Sequence, residues 1–136
     1  MVNSISTSFI RGLCDEIGFR TEIDSNGFIS LCVSKDEDFG HDVLVVFYVD
    51  DNRLQILSFA RGLRIEQRDV AKTLVKLNKY NAEGYMPAYL NDNGDVIVRR
   101  LEFLDEEVSE SFIKENCIKL CVQFCWKFFK ENFAEY

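Results

Sequence analysis

Three cysteines, Cys117, Cys121 and Cys125, fall at the i, i+4, i+8 spacing that lines thiols along one helix face. Such a row could hold a soft metal. Tetrahedral zinc, however, draws its ligands from turns on two elements with short Cys-x-x-Cys spacings, and no histidine or fourth cysteine lies nearby. The three thiols are therefore read as small buried hydrophobes. The single histidine, His41, would have to serve any Ser–His or Cys–His pair, yet no nucleophile signature accompanies it. It is read as a solvated loop residue. Asp36-Glu37-Asp38, with Gly40 and Asp42, is similar to an oxygen-rich calcium loop but lacks the twelve-residue pattern and its terminal Glu. Gly27, Gly40, Gly62 and Gly94 stand singly, so no Gly-rich phosphate cradle exists. These patterns specify no catalytic residue, no metal site and no cofactor.

Two further pairs have chemistry to satisfy. Arg99 and Arg100 are neighbours on a strand and point to opposite faces, so one of them lies beside core residues and needs a carboxylate or snorkels outward. Asn78 and Asn81 are expected on the apolar face of a helix with Ala71 and Leu74, where each amide needs partners. A buried unpaired amide costs about 1–3 kcal/mol, so both are expected to tie the helix end to neighbouring backbone.

The elements that position these residues can be read in order. Residues 4–17 form a first helix, capped by Ser4 or Ser6, striped by Ile5, Phe9, Leu13 and Ile17, and stopped by Gly18. Strands follow over 19–24 and 28–34, and the apolar run Val43 to Val49 predicts a strand buried on both faces or nearly so. Asp50-Asp51-Asn52 turns the chain into a fourth strand, Arg53 to Ala60. A second helix over 66–81 ends at Gly84, where glycine permits the turn. Asn93-Gly94 predicts a two-residue type I′ hairpin, which sets Leu90 opposite Ile97 and Ala88 opposite Arg99. Pro87, without an N–H, places its strand at an edge. A long helix over 109–132 closes the order α-β-β-β-β-α-β-β-α. Short connections make the sheet antiparallel, and helices pack on it, so the fold class is α+β.

The run Leu77-Asn78-Lys79-Tyr80-Asn81, then Ala88-Tyr89-Leu90 and Asp92-Asn93-Gly94-Asp95, resembles the YbjN-type bacterial family. That family shows an L-N-x-aromatic-N helix end followed by an A-Y-L-D-x-D-G-D hairpin. Tyr80 stands where Trp is common and Asn91 where an acid is common. The family is named for a proposed role in sensory-transduction regulation, and its fold is similar to the small dimeric chaperones of type III secretion. The resemblance implies that fold, and an architectural role for Asn78, Tyr80, Asn81, Tyr89 and Gly94.

At 136 residues the chain reads as one domain, 1–136, able to bury about two-thirds of its unfolded surface. One proline and 47% hydrophobic residues argue for a packed globule, and a net charge of −7 opposes binding to nucleic acid or an anionic membrane. The opening MVNSISTSFIRG has no basic region followed by an apolar run, no stretch reaches the ~18 apolar residues of a membrane span, and five cysteines are an odd number. The expected location is the cytoplasm.

The last helix is apolar around most of its girth. One stripe holds Ile113, Cys117, Cys121, Phe124 and Phe128. A second holds Ile118, Val122, Trp126, Phe129 and Phe133. A sheet can cover only one of them. The first helix covers the other, or the second stripe serves as a dimer seam or partner groove. The functional expectation is a non-enzymatic interaction or chaperone-like regulatory protein, a homodimer that binds a protein or peptide partner. The alternative is a small-molecule sensor with an apolar pocket between the sheet and the last helix.

Overall fold

The structure, a computed structural model, describes residues 5–105 and 108–136. Ser6 caps helix α1 (Thr7–Ile17), its hydroxyl accepting from the Phe9 N–H at 3.1 Å. Ser4 lies outside the described residues. Gly18 ends α1 at φ 103°, its N–H donating to the Cys14 and Asp15 carbonyls. The chain then forms β1 (Glu22–Ile23), β2 (Ile29–Val33), β3 (Val43–Asp50) and β4 (Arg53–Ala60). A 3-10 turn, Gln67–Asp69, leads into α2 (Val70–Glu83), followed by β5 (Ala88–Leu90) and β6 (Val96–Phe103). The last helix, α3, spans 110–133. It starts as a short turn, Glu110–Phe112, widens to a π-helix over Ile113–Lys119, and continues as α-helix over Leu120–Phe133. The six strands make one antiparallel sheet in the order β1-β2-β3-β4-β6-β5. The fold is therefore α+β, and β5, preceded by Pro87, is an edge as expected.

The β5–β6 hairpin differs from expectation by one residue. Ala88 pairs with Val98, Tyr89 with Ile97 and Leu90 with Val96. Asn91 N–H donates to the Asp95 carbonyl at 3.0 Å and Gly94 N–H to the Asn91 carbonyl at 3.1 Å, leaving a three-residue loop. Only Gly94 in that loop has positive φ, at 83°. A type I turn followed by one left-handed residue fits this pattern, whereas type I′ would need Asn93 left-handed as well. Asn91 decides the outcome: its side-chain oxygen accepts from the N–H groups of Asn93 and Asp95, at 3.0 and 2.9 Å.

Gly84 departs too. It is extended (φ −79°, ψ 158°) rather than left-handed, so it does not end α2 by a positive φ. Its lack of a side chain matters for a different reason. A Cβ there would sit 2.6 Å from the Tyr80 carbonyl and 2.9 Å from the Tyr80 ring.

All three helices share one face of the sheet. Val43, Val45 and Phe47 of β3 and Leu54, Ile56 and Ser58 of β4 point toward them and are buried. Ile10, Leu13 and Cys14 of α1, Leu77 of α2 and the buried side chains of α3 complete one core with these residues. The other face of β3, with Leu44, Val46 and Tyr48, is partly covered, so β3 is buried on one side and mostly buried on the other. No helix covers that face, because all three pack on the first.

Candidate functional site

The second stripe of α3 is core, not surface. Ile118, Val122, Phe129 and Phe133 are at most 3% exposed, and Trp126 is half-buried. The stripe is closed from two sides. α1 packs on the π-helical turn, with Glu16 and Lys114 paired at 3.6 Å, while Phe39 of the loop before β3 meets Trp126 edge-on at 5.8 Å. The expectation of a seam at this stripe is thus corrected, since α1 and that loop occupy the space a partner would need. The first stripe is equally filled. Cys117, Cys121, Cys125 and Phe128 pack into the core, so a sensor pocket between sheet and last helix is occupied by the chain's own side chains.

Burial pushes the Cys117 and Cys125 thiols up to about 12 and the Cys14 thiol up to about 11, and raises Cys121 as well. They stay protonated at neutral pH and act as packing groups. His41 is not a solvated loop residue. Its Nδ1 lies 2.9 Å from the Arg61 carbonyl and its Nε2 3.1 Å from the Tyr136 carbonyl, joining the end of β4 to the chain beyond α3. No group of three or more His, Cys, Asp or Glu among the described residues is arranged to hold a metal ion.

Arg100 is the arginine on the core side, and it has the carboxylate that its position requires. It pairs with Glu102, bonds the Tyr85 hydroxyl, and donates to Cys121 Sγ at 3.0 Å. It also donates to the Asn116 carbonyl at 3.1 Å, which lies inside the π-helical turn. The widened turn and the guanidinium are thus one device. Asn81 behaves as expected of a backbone tie: its amide accepts from the Ala88 N–H and donates to the Ala88 carbonyl, both at 2.9 Å. Asn78 does not: it is exposed and its side chain makes no such bond among the described residues. The buried face of α2 runs through Thr73 and Leu77, leaving Leu74 half exposed. Tyr80 packs its ring on Phe128 at 4.4 Å, and its buried hydroxyl has its pKa raised by burial. Gly94 lies against Ile65, whose N–H donates to the Gly94 carbonyl at 2.8 Å. Tyr89 stands apart from this cluster, exposed on the opposite side of the sheet.

That opposite side is the candidate site. Leu44 lies across from Phe59, Val46 from Leu57, and Tyr48 from Gln55; Leu57 then faces Arg99 on β6. Phe28 stacks on Tyr48 with ring centroids 4.7 Å apart. Leu101 and Phe103 extend the face along β6, 43% and 69% exposed. None of these side chains belongs to the core cluster or its packed margin. The outward side of an antiparallel sheet with one solvated face is ordinarily polar; here apolar side chains recur on three strands, β3, β4 and β6, with Gln55 and Arg99 among them. At about 4.8 Å between strands and about 6.8 Å per two residues, the patch covers roughly 300 Å². Patches of that size are often functional. A shallow groove of about 310 Å³ crosses it, with Phe28, Tyr48, Val46 and Leu57 on the floor and Gln55 and Arg99 at the side.

The sequence carries a signal for this face. The unbroken apolar run of β3 requires apolar residues on both sides, while only three helices are available. Once α1 is assigned to the second stripe of α3, nothing is left for the far side.

No protein-family model matches the chain, and no curated protein matches its sequence. Among solved structures it is similar to the crystal structure of YbjN from E. coli, a proposed transcription regulator, with a TM-score of 0.65 and 15% sequence identity over 96% of this chain and 90% of that one. Over nearly its whole length, the chain has the fold of YbjN.

Proposed function

We propose that this chain is a non-enzymatic regulatory protein that works by binding another protein or a peptide, and that the open face of the sheet is its docking surface. One observation carries the reading. A well-packed core uses every helix on one side of the sheet, while the other side presents Val46, Tyr48, Leu57 and their neighbours to solvent. A protein that had no use for this face would be expected to carry polar side chains there. The structural likeness to a proposed regulator supports the class of role but not the partner. A homodimer remains part of the proposal only through this face, since the α3 stripe is enclosed.

The test places a photo-reactive benzoylphenylalanine at Tyr48 on the open face and, as control, at Lys127 on the helical side. After irradiation in cells, covalent adducts are identified by mass spectrometry. A discrete protein adduct at position 48 and none at 127 is the expected result. An adduct consisting of a second copy of the chain would make the face a homodimer interface. Adduct formation at position 48 no greater than at 127 would overturn the docking role.

A further inference from the structure

Resting on that reading, the open face also indicates what kind of partner it takes. Leu57 and Val46 are already more than half buried in the free chain. Their complete burial adds only about 1 kcal/mol each, whereas association costs several kcal/mol in lost freedom. Apolar contact alone is therefore a weak basis for a specific complex here, and a polar anchor is needed.

Arg99 has the position and the free valence to be that anchor. It sits beside Leu57 in the middle of the face, exposed, and its Nη2 donates to the Gln55 side-chain oxygen at 3.1 Å. No carboxylate among the described residues pairs with it. Of the other cations around the face, Arg53, Arg61 and Arg64 are held by Asp50, Asp42 and Asp95, and Arg20 lies at the far edge, beside Ser30, Cys32 and Leu44. The two kinds of cation are also segregated. Seven of the eight lysines lie on α2 and α3, while the cations of the open face and its rim are arginines. Guanidinium is the group that binds carboxylate bidentately and tolerates partial desolvation at an interface.

We propose that the occupant of the open face is an acidic–apolar segment of another protein, in which an Asp or Glu is flanked by aromatic or aliphatic residues. Its carboxylate pairs with Arg99 at the side of the groove, and its apolar neighbours pack on the Phe28–Tyr48 stack and on Leu57. A second copy of this chain fits less well. It would bring a second Arg99 to the same face and no central carboxylate to meet it.

The experiment is a selection of random dodecapeptides displayed on phage against wild type, Arg99→Glu and Leu57→Asp, with the best wild-type peptide then titrated by calorimetry. Arg99 is exposed and its side chain bonds only Gln55 among the described residues, so its variants are expected to keep the wild-type melting curve, and this is measured alongside. Wild type is expected to enrich peptides with Asp or Glu beside aromatic or aliphatic residues. Arg99→Glu is expected to shift the enrichment to Lys and Arg, and Arg99→Gln to weaken the titrated peptide at least tenfold. Peptides whose charge is the same for wild type and Arg99→Glu would overturn the acidic partner while leaving the docking face intact. Enrichment no greater on wild type than on Leu57→Asp, together with cross-linking at Tyr48 no greater than at Lys127, would overturn both.

Discussion

Asn81 and Asn78 have the same side chain three residues apart on one helix, yet they do opposite things. Asn81 holds both backbone groups of Ala88, so it acts as one extra rung at the edge where β5 begins. Asn78 points to solvent. Replacing Asn81 by Ala leaves the Ala88 N–H and carbonyl without these bonds, and Ala88 is only 3% exposed. The expected cost is about 1–2 kcal/mol, read from urea unfolding curves. Asn78→Ala should change stability by no more than about 0.5 kcal/mol, and a cost equal to that of Asn81→Ala would contradict this division. The tie made by Asn81 was legible, because an amide at a helix end beside a strand has backbone to satisfy. The solvent exposure of Asn78 was not. Counting apolar residues puts Leu74 in the core, but the packing of α2 beside β5 turns Thr73 inward and leaves Leu74 and Val75 50% and 65% exposed. Intrahelical spacing fixes the phase of a stripe only when its apolar residues outnumber the alternatives, and in α2 they do not.

At the scale of elements, the hairpin shows how one residue can set a register. Asn-Gly is the strongest short hairpin signal, and it points to a two-residue loop. The structure uses three, because Asn91 folds its side chain over the loop and fixes Asp95 opposite itself. The shift matters for function. It pairs Ala88 with Val98 toward the core and puts Arg99 on the open face, and a one-residue slip of β6 would exchange Arg99 and Arg100 between faces. Gly94 is required twice, by its φ of 83° and by the Ile65 carbonyl 2.8 Å from where a Cβ would be. Gly94→Ala should therefore cost about 2–3 kcal/mol, while Asn93→Ala, at a position without positive φ, should cost under about 1 kcal/mol. Thermal melts of the two variants check the loop. Equal losses would mean that Asn93 also needs a left-handed backbone, as in a type I′ turn. The order of elements, by contrast, was fully legible, since each boundary has its own marker: Ser6 and Gly18 around α1, Asp51-Asn52 between β3 and β4, Pro87 before β5. The two apolar stripes of α3 were legible as well, but not their coverings. Those come from α1 and from Phe39, which are far away in sequence, and no local pattern encodes that meeting.

The molecule as a whole has two layers, one sealed by helices and one open, and residues 36–39 of the loop before β3 work on the sealed side. Asp36 accepts from the Asp38 and Phe39 N–H groups, both at 2.9 Å, and receives the Lys130 ammonium at 3.1 Å. Phe39, held by this arrangement, is 1% exposed and closes against Trp126, the only tryptophan. The Lys130 hydrogen bond, followed by that of the Phe39 N–H, holds the Asp36 carboxyl below the usual carboxylate range. A carboxyl depressed on folding contributes stability above its unfolded pKa, near 4 for an Asp, and loses that contribution as pH falls through the folded value. The strap is therefore intact at neutral pH and should release only below about pH 4. Trp126 emission should respond there, as Phe39 withdraws and water reaches the indole. In Asp36→Asn, which keeps an oxygen for the N–H groups but not the charge for Lys130, the step should disappear and the neutral-pH emission should already resemble the acid form. Trp126 emission that stays constant until far-ultraviolet circular dichroism reports global unfolding would show that the strap does not open separately. Because Arg99 and Leu57 lie on the opposite side of the sheet, Asp36→Asn should leave the peptide selection described above unchanged. If it altered that selection, the two layers would be coupled through the sheet rather than independent.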